Sequence, residues 1–107
     1  MRAKGVAILG AALSFVAATA VAAPPSMHST WKATKLNQSA CLDRANMLLA
    51  SGGFTDPQRG TFSVYAQKGE YSIIISCLAS KGLAYFVVAG PSANDCRSLA
   101  DIVAEPF

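Results

Sequence analysis

Residues 61–90, TFSVYAQKGEYSIIISCLASKGLAYFVVAG, are the stretch that decides the fold. Its first two segments alternate apolar and polar side chains, which is the period of a half-buried β-strand. The turn QKGE, with Gly69 as its permissive residue, separates them, and ASKG separates the second from LAYFVVAG. Strands joined by such short turns run antiparallel. The stretch therefore predicts a three-stranded antiparallel meander.

The same alternation predicts which side chains face the core. One set is predicted to face the helices: Phe62, Val64, Ile73 and Ile75. Tyr65 and Ile74 then lie on the opposite face, among serines. The third segment is apolar on both faces, so the sequence leaves open whether 85 and 87 or 86 and 88 are exposed. We take four residues as the candidate interaction surface: Tyr65, Ile74, Tyr85 and Val87.

Two helical patterns flank the meander. In the first, residues 37–53, Asn37 is the predicted N-cap and two glycines end the helix. In the second, residues 91–107, Ser92 is the predicted N-cap and Pro106 the stop. Their apolar stripes are Cys41, Ala45, Leu48 and Leu49 in the first helix and Cys96, Leu99, Ala100 and Val103 in the second. One stripe per helix places both helices on one face of the sheet.

The predicted fold class is α+β: a two-layer domain with an antiparallel three- to four-stranded meander, two helices on one face and the order (β)αβββα. The bracketed strand is a candidate edge strand at residues 30–36, TWKATKL, inside a segment (23–36) predicted to be flexible. Residues 37–107 form the single predicted domain. TDPQRG, residues 55–60, is predicted to be a loop because of its Asp-Pro and glycine.

The first 22 residues have the features of a cleaved signal peptide. Arg2 and Lys4 precede the uncharged run VAILGAALSFVAATA, and Ala20 and Ala22 have the spacing that a signal peptidase requires. The run is short for a membrane span. We therefore expect an exported protein, periplasmic or extracellular, without stable membrane insertion after cleavage.

The charge of the chain gives no support to nucleic-acid binding. Nine Lys and Arg residues face six Asp and Glu residues, for a net charge of +3. Arg2 and Lys4 belong to the leader, so the remainder has seven against six and a net charge of +1. A domain of about 85 residues buries a small core, and a disulfide, permitted by export, would stabilise it.

No constellation of catalytic or metal-binding residues is found. His28 is the single histidine and lies in the segment predicted to be flexible, so no Ser-His-Asp or Cys-His set can be built around another histidine. There is no Cys-x-x-Cys motif, and the carboxylates are scattered over helices and turns. We predict no catalytic residue, no metal site and no cofactor.

Three cysteines leave the disulfide pairing open. If one strand lies between the first helix and YSIIISC, Cys77 ends at the far side of the sheet and Cys41 neighbours Cys96. If the segment GFTDPQR crosses over or adds a short strand, the direction in which the chain enters the meander reverses and Cys41 meets Cys77. About seven residues span about 23 Å, so the crossing is within reach. Only Cα atoms within about 7 Å can be bridged.

The string CLDRANMLLASGGF, followed by VYAQKGEYSIIISCLASKGLAYFVVAGPS, resembles a group of small exported bacterial proteins of unknown function. Their pattern is a Cys-Leu-x-Arg-Ala helix start, a Gly-x-Tyr strand ending in Cys and an FVVAGP strand. The resemblance covers residues 39–92. It implies that Cys41 and Cys77 are paired and that Cys96 is an additional, buried free thiol.

Three functions are compatible with these features. The first is a non-enzymatic envelope protein that binds an unknown protein partner, or a second copy of itself, through the open sheet face. The second is an inhibitor or accessory subunit of a periplasmic enzyme. The third is an enzyme or redox protein that uses Cys77 or Cys96, of which Cys96 lies near a helix N-terminus. The absence of a neighbouring histidine disfavours the third, and the first is our prediction.

Overall fold

A computed structural model describes residues 24–107 of the chain. The elements along the chain are β1 (Ser26–Ala33), α1 (Gln38–Ser51), β2 (Thr55–Arg59), β3 (Ser63–Lys68), β4 (Tyr71–Leu78), a 3-10 turn (Ala79–Lys81), β5 (Leu83–Gly90) and α2 (Ala93–Ala104). The predicted signal peptide, residues 1–22, lies outside the described residues.

The five strands form one antiparallel sheet in the order β1-β5-β4-β3-β2. Tight turns join β3 to β4 and β4 to β5, and Gly69 and Gly82 have the positive φ angles (60° and 70°) that such turns require. α1 packs against β2, β3 and β4, and α2 packs against β1 and β5. The predicted α+β class with two helices on one side of an antiparallel sheet is confirmed, with one strand more than the upper predicted number.

The additional strand is β2, where the sequence predicts a loop. Thr55 pairs with Gln67 and Arg59 with Val64, and the register shifts between Thr55 and Gln58. Asp56, with φ of 42°, lies in this irregular part beside Pro57. Proline and a left-handed residue are signs of a loop in isolation, but edge strands and bulges tolerate both. The predicted loop is therefore corrected to a bulged edge strand.

The opposite edge strand, β1, begins earlier than predicted. Its eight residues pair without interruption, from Ser26 opposite Gly90 to Ala33 opposite Leu83. The prediction of a flexible segment over 23–36 is therefore corrected for residues 26–33. Alternation in SMHSTWKA, which is exposed at every second position, was the available signal.

The core lies between the sheet and the two helices. Its largest fully buried side chains are Phe86, Leu49, Ile73, Ile75, Val64 and Val88. In α1, Leu42 is buried although the predicted stripe omits it, and Leu48 is only half-buried. Phe62 is 60% exposed because it lies in the turn before β3, so the prediction that it faces the helices is wrong.

Cys41 and Cys77 lie at disulfide distance, with Cα atoms 6.0 Å apart and a sequence separation of 36. The added strand β2 reverses the direction in which the chain enters the meander, and the Cys41–Cys77 pairing requires this reversal. The Gln38 side chain joins the same two elements, because its amide donates to the Cys77 carbonyl at 2.8 Å and its oxygen accepts from the Ala79 N–H at 3.1 Å. The start of α1 is thus fixed to the end of β4. Cys96 is the free, buried thiol.

Both predicted N-caps are formed. The Asn37 side chain accepts from the Ala40 N–H at 2.8 Å, and the Ser92 side chain accepts from the Asp95 N–H at 3.3 Å. Each cap satisfies a backbone donor that has no partner within its helix.

Replacing the first cap, Asn37→Ala, is expected to lower the free energy of unfolding by about 1 kcal/mol. Asn37→Ser keeps a side-chain oxygen at the cap and should retain most of that stability. Urea unfolding of both variants measures the difference. Equal midpoints for the two variants would show that the Asn37 hydrogen bond contributes nothing.

Candidate interaction surface

The sheet face opposite the helices is uncovered within residues 24–107, and we call it the open face. Because strand side chains alternate, the registers place alternate residues of four neighbouring strands on it. These are Met27, Ser29, Trp31 and Ala33 in β1, Leu83, Tyr85, Val87 and Ala89 in β5, Ser72, Ile74, Ser76 and Leu78 in β4, and Ser63, Tyr65 and Gln67 in β3.

The structure places all four residues of the candidate surface on the open face. Ile74 pairs with Tyr65 on one side and with Val87 on the other, so these three form one row across the sheet. Tyr85 lies in the next row, directly across from Trp31. Tyr65, Ile74 and Tyr85 are each about two-fifths exposed. In β5, Phe86 and Val88 are therefore the buried set, and Tyr85 and Val87 lie on the open face.

The most exposed hydrophobic side chains of this face lie in β1 and are not among the residues predicted from the sequence. Met27 and Trp31 are 67% and 63% exposed, more than any predicted surface residue. Trp31 and Tyr85, with Leu78 and Leu83, line an almost wholly apolar groove of about 300 Å³. The alternation in β1 is a signal that both residues share one face of a strand, but only the pairing with β5 shows that this is the open face.

The open face has no charged side chain on any of its four strands. The nearby charges belong to the other layer: Lys32 donates to the Glu105 carbonyl, Lys68 to the Gly52 carbonyl, and Arg59 pairs with Asp43. Four strands about 4.8 Å apart, three of eight residues and one of six, cover on the order of 500 Å². The face is uncharged and mainly apolar, and exposed apolar patches within an area of this size are often binding sites.

The side chains capable of chemistry are dispersed. His28 lies in β1 opposite Val88, half-buried, which corrects its predicted place in a flexible segment. The Cys96 thiol is fully buried beside the Ser26 carbonyl, at 3.7 Å. Burial first, and then the neighbouring Asp95 carboxylate, raise the pKa of Cys96. A reactive cysteine requires the opposite environment, exposed and electropositive.

Tyr71 and Asp95 form the remaining polar contact of interest. The Tyr71 hydroxyl donates to the Asp95 carboxylate at 3.1 Å, in a hollow that Lys68 and Leu99 also line. Desolvation first, and then the hydrogen bond to Asp95, raise the pKa of the Tyr71 phenol. The contact joins β4 to the first turn of α2 and is structural. Among residues 24–107, no three metal-ligating side chains come together.

These features define a small two-layer α+β domain with an uncharged, aromatic-rich open face. The sequence matches no protein-family model, and comparison with curated proteins and with solved structures gives no significant match. None of the helices in the described part of the chain is long and apolar enough to cross a membrane.

Proposed function

We propose that this protein is a small exported envelope protein that acts without catalysis, as an interaction module, and that its open face binds a protein partner. The observation that carries the proposal is the uncharged row of exposed aromatic and aliphatic side chains on a sheet face that no other element of residues 24–107 covers. The partner surface that fits it is apolar and uncharged, because any charge brought against this face would lose its water without gaining a counter-charge.

The groove at Trp31 and Tyr85 is the expected centre of binding. Aromatic side chains supply large contact areas at a low entropic cost, and they dominate the energetics of most interfaces. Serines lie among the apolar side chains of the face, with Ser72 and Ser76 in β4 and Ser29 in β1. Their hydroxyls can donate to and accept from polar groups of a partner.

Export is part of the proposal and rests on the leader-like residues 1–22. The Cys41–Cys77 pair supports it, since disulfides persist in oxidising compartments. The buried Cys96, with its raised pKa, favours binding over thiol chemistry.

Site-specific photocrosslinking in the producing cell tests the open face. The full-length chain carries Ser76→p-benzoylphenylalanine, a position next to Tyr85 in the register. We expect one dominant adduct with a different protein. A separate variant carries the probe at the exposed Ser98 of α2 instead of at Ser76. It serves as the control and should not give this adduct.

Two further substitutions separate binding from misfolding. Tyr85→Lys on the probe background should reduce the adduct at least tenfold, because it buries an unpaired charge at the interface. Ile102→Lys is the matched control, since Ile102 is 69% exposed on α2, away from the open face. The proposal fails if Tyr85→Lys leaves the adduct unchanged or if the adduct contains only two copies of this chain.

A further inference from the structure

The two edges of the sheet differ in how they meet a further strand. The β2 edge is interrupted by a register shift and contains Asp56 with a positive φ angle and Pro57. Bulges, proline and charge are the devices that protect edges from pairing. The β1 edge has neither a bulge nor a proline, because its eight-residue register with β5 is continuous and none of the eight residues is proline.

The hydrogen-bond pattern identifies the free groups of this edge. The Thr34 N–H donates to the Gly82 carbonyl at 2.9 Å, which continues the β1–β5 ladder by one residue. Antiparallel residues alternate between bonded and non-bonded positions. The even-numbered residues of β1 therefore bond to β5, and four odd-numbered residues direct their N–H and C=O groups outward: Met27, Ser29, Trp31 and Ala33. Within residues 24–107, β1 has no strand on that side.

We propose that β1 pairs with the β1 strand of a second copy of this chain, antiparallel, about a two-fold axis at Ser29. The two sheets then form one ten-stranded sheet with a continuous open face. The proposal goes beyond the proposed function, because it concerns pairing along the strand edge, with Met27 and Trp31 contributing from the margin of the open face. Strand addition of this kind obtains its affinity from main-chain hydrogen bonds.

Side-chain complementarity selects this register. Ser29 lies opposite the partner's Ser29, and Met27 lies opposite the partner's Trp31 on both sides of the axis. Met27 and Trp31 are the most exposed large hydrophobic side chains of the sheet. Met27 of one copy therefore covers Trp31 of the other in a favourable thioether–aromatic contact. The two-fold symmetry produces two such contacts in the dimer.

The open-face neighbours support the same register. An axis at Thr30 also pairs most of the strand, but it sets Met27 opposite the partner's Ala33 and Trp31 opposite the partner's Ser29. The two large exposed side chains then have no large side chain directly opposite them. The Ser29 axis places them opposite each other.

The size of the contact sets its strength. The paired segment is about 24 Å long, at about 3.4 Å per residue, and includes two exposed methionines and two exposed tryptophans. We expect a total buried area on the order of 1,000 Å², the lower limit for a specific interface. Interfaces of this size are typical of weak, transient complexes, so the dimer should be reversible, with a Kd in the micromolar range.

Charge substitution at the axis tests the proposal and its register together. Protein is purified after expression of the full-length chain and followed by analytical ultracentrifugation from 1 to 500 µM. Ser29→Lys and Ser29→Glu should each weaken the dimer at least tenfold, since like charges face each other across the axis. An equimolar mixture of the two should restore the dimer to within about threefold of the original Kd, because opposite charges then pair.

Ser29→Thr is the matched neutral control and should dimerise as the original does. Ser29→Pro removes an outward N–H without breaking a β1–β5 bond, so it should give a folded monomer by circular dichroism. A protein that is monomeric at 500 µM would overturn the proposal, as would a mixture that fails to restore the dimer. Loss of the dimer with Ile74→Lys but not with Ser29→Lys would assign self-association to the open face instead.

Discussion

Replacing Cys41 and Cys77 together by alanine is expected to lower the free energy of unfolding by about 4 kcal/mol. A crosslink between residues 36 apart removes that much conformational freedom from the unfolded chain in the loop-entropy account. In a domain of this size about 4 kcal/mol corresponds to a fall in Tm of roughly 15–30 °C. Differential scanning calorimetry of the exported protein measures the shift.

Cys96→Ala is the matched control for this experiment. Cys96 is as deeply buried as the other two, so its replacement measures the loss of one packed sulfur without loss of a crosslink. We expect a cost of about 1 kcal/mol from the small cavity. Dithiothreitol should lower the Tm of the original protein and leave that of the Cys41→Ala/Cys77→Ala variant unchanged. A larger loss in Cys96→Ala than in the double variant would contradict the assigned pairing.

Gly90→Ala is expected to destabilise the fold by about 2–3 kcal/mol through overpacking. A Cβ atom at Gly90 would lie 2.2 Å from Cδ2 and 2.4 Å from Cε2 of Tyr71, whose ring crosses the strand at this point. The ring cannot simply move, because its hydroxyl bonds Asp95 and its face packs on the core. Thermal unfolding should show a fall in Tm of about 10–20 °C.

A double-mutant cycle identifies the cause of that loss. In a Tyr71→Ala background the clash is absent, so adding Gly90→Ala should change the free energy of unfolding by less than about 0.5 kcal/mol. Gly60→Ala is the matched control, since its new Cβ would meet only the Ser63 carbonyl, at 3.6 Å. An undiminished cost of Gly90→Ala without the Tyr71 ring would show that backbone conformation, and not the ring, requires glycine there.

The local features of the fold were predictable where local physics decides them. Asn37 and Ser92 were identified as caps because capping involves side chains and N–H groups two or three residues apart. Gly69 was identified because a two-residue hairpin turn requires a positive φ angle. The open-face positions Tyr65 and Ile74 followed from the period of two, which is a property of every extended chain.

The errors concern residues whose state depends on distant partners. Residues 55–59 contain proline and a left-handed Asp56, and they are a strand only because β3 provides a row of partners. Met27 and Trp31 could not be assigned to the open face until β5 fixed the position of β1. The exposed set in β5 was undecidable in sequence because both of its faces are apolar, and packing of α2 against the sheet buries Phe86.

The sequence by itself determined the two helices, their caps, the three central strands and the antiparallel direction of those strands, because each depends on interactions between near neighbours. Only the tertiary structure decided which cysteines meet, because that depends on whether residues 55–59 add a strand and reverse the direction in which the chain enters the meander. It also decided that Trp31 and Tyr85 lie side by side on one uncharged face. Both outcomes are pairings between residues far apart in the chain, and no periodicity in a single segment records its partner.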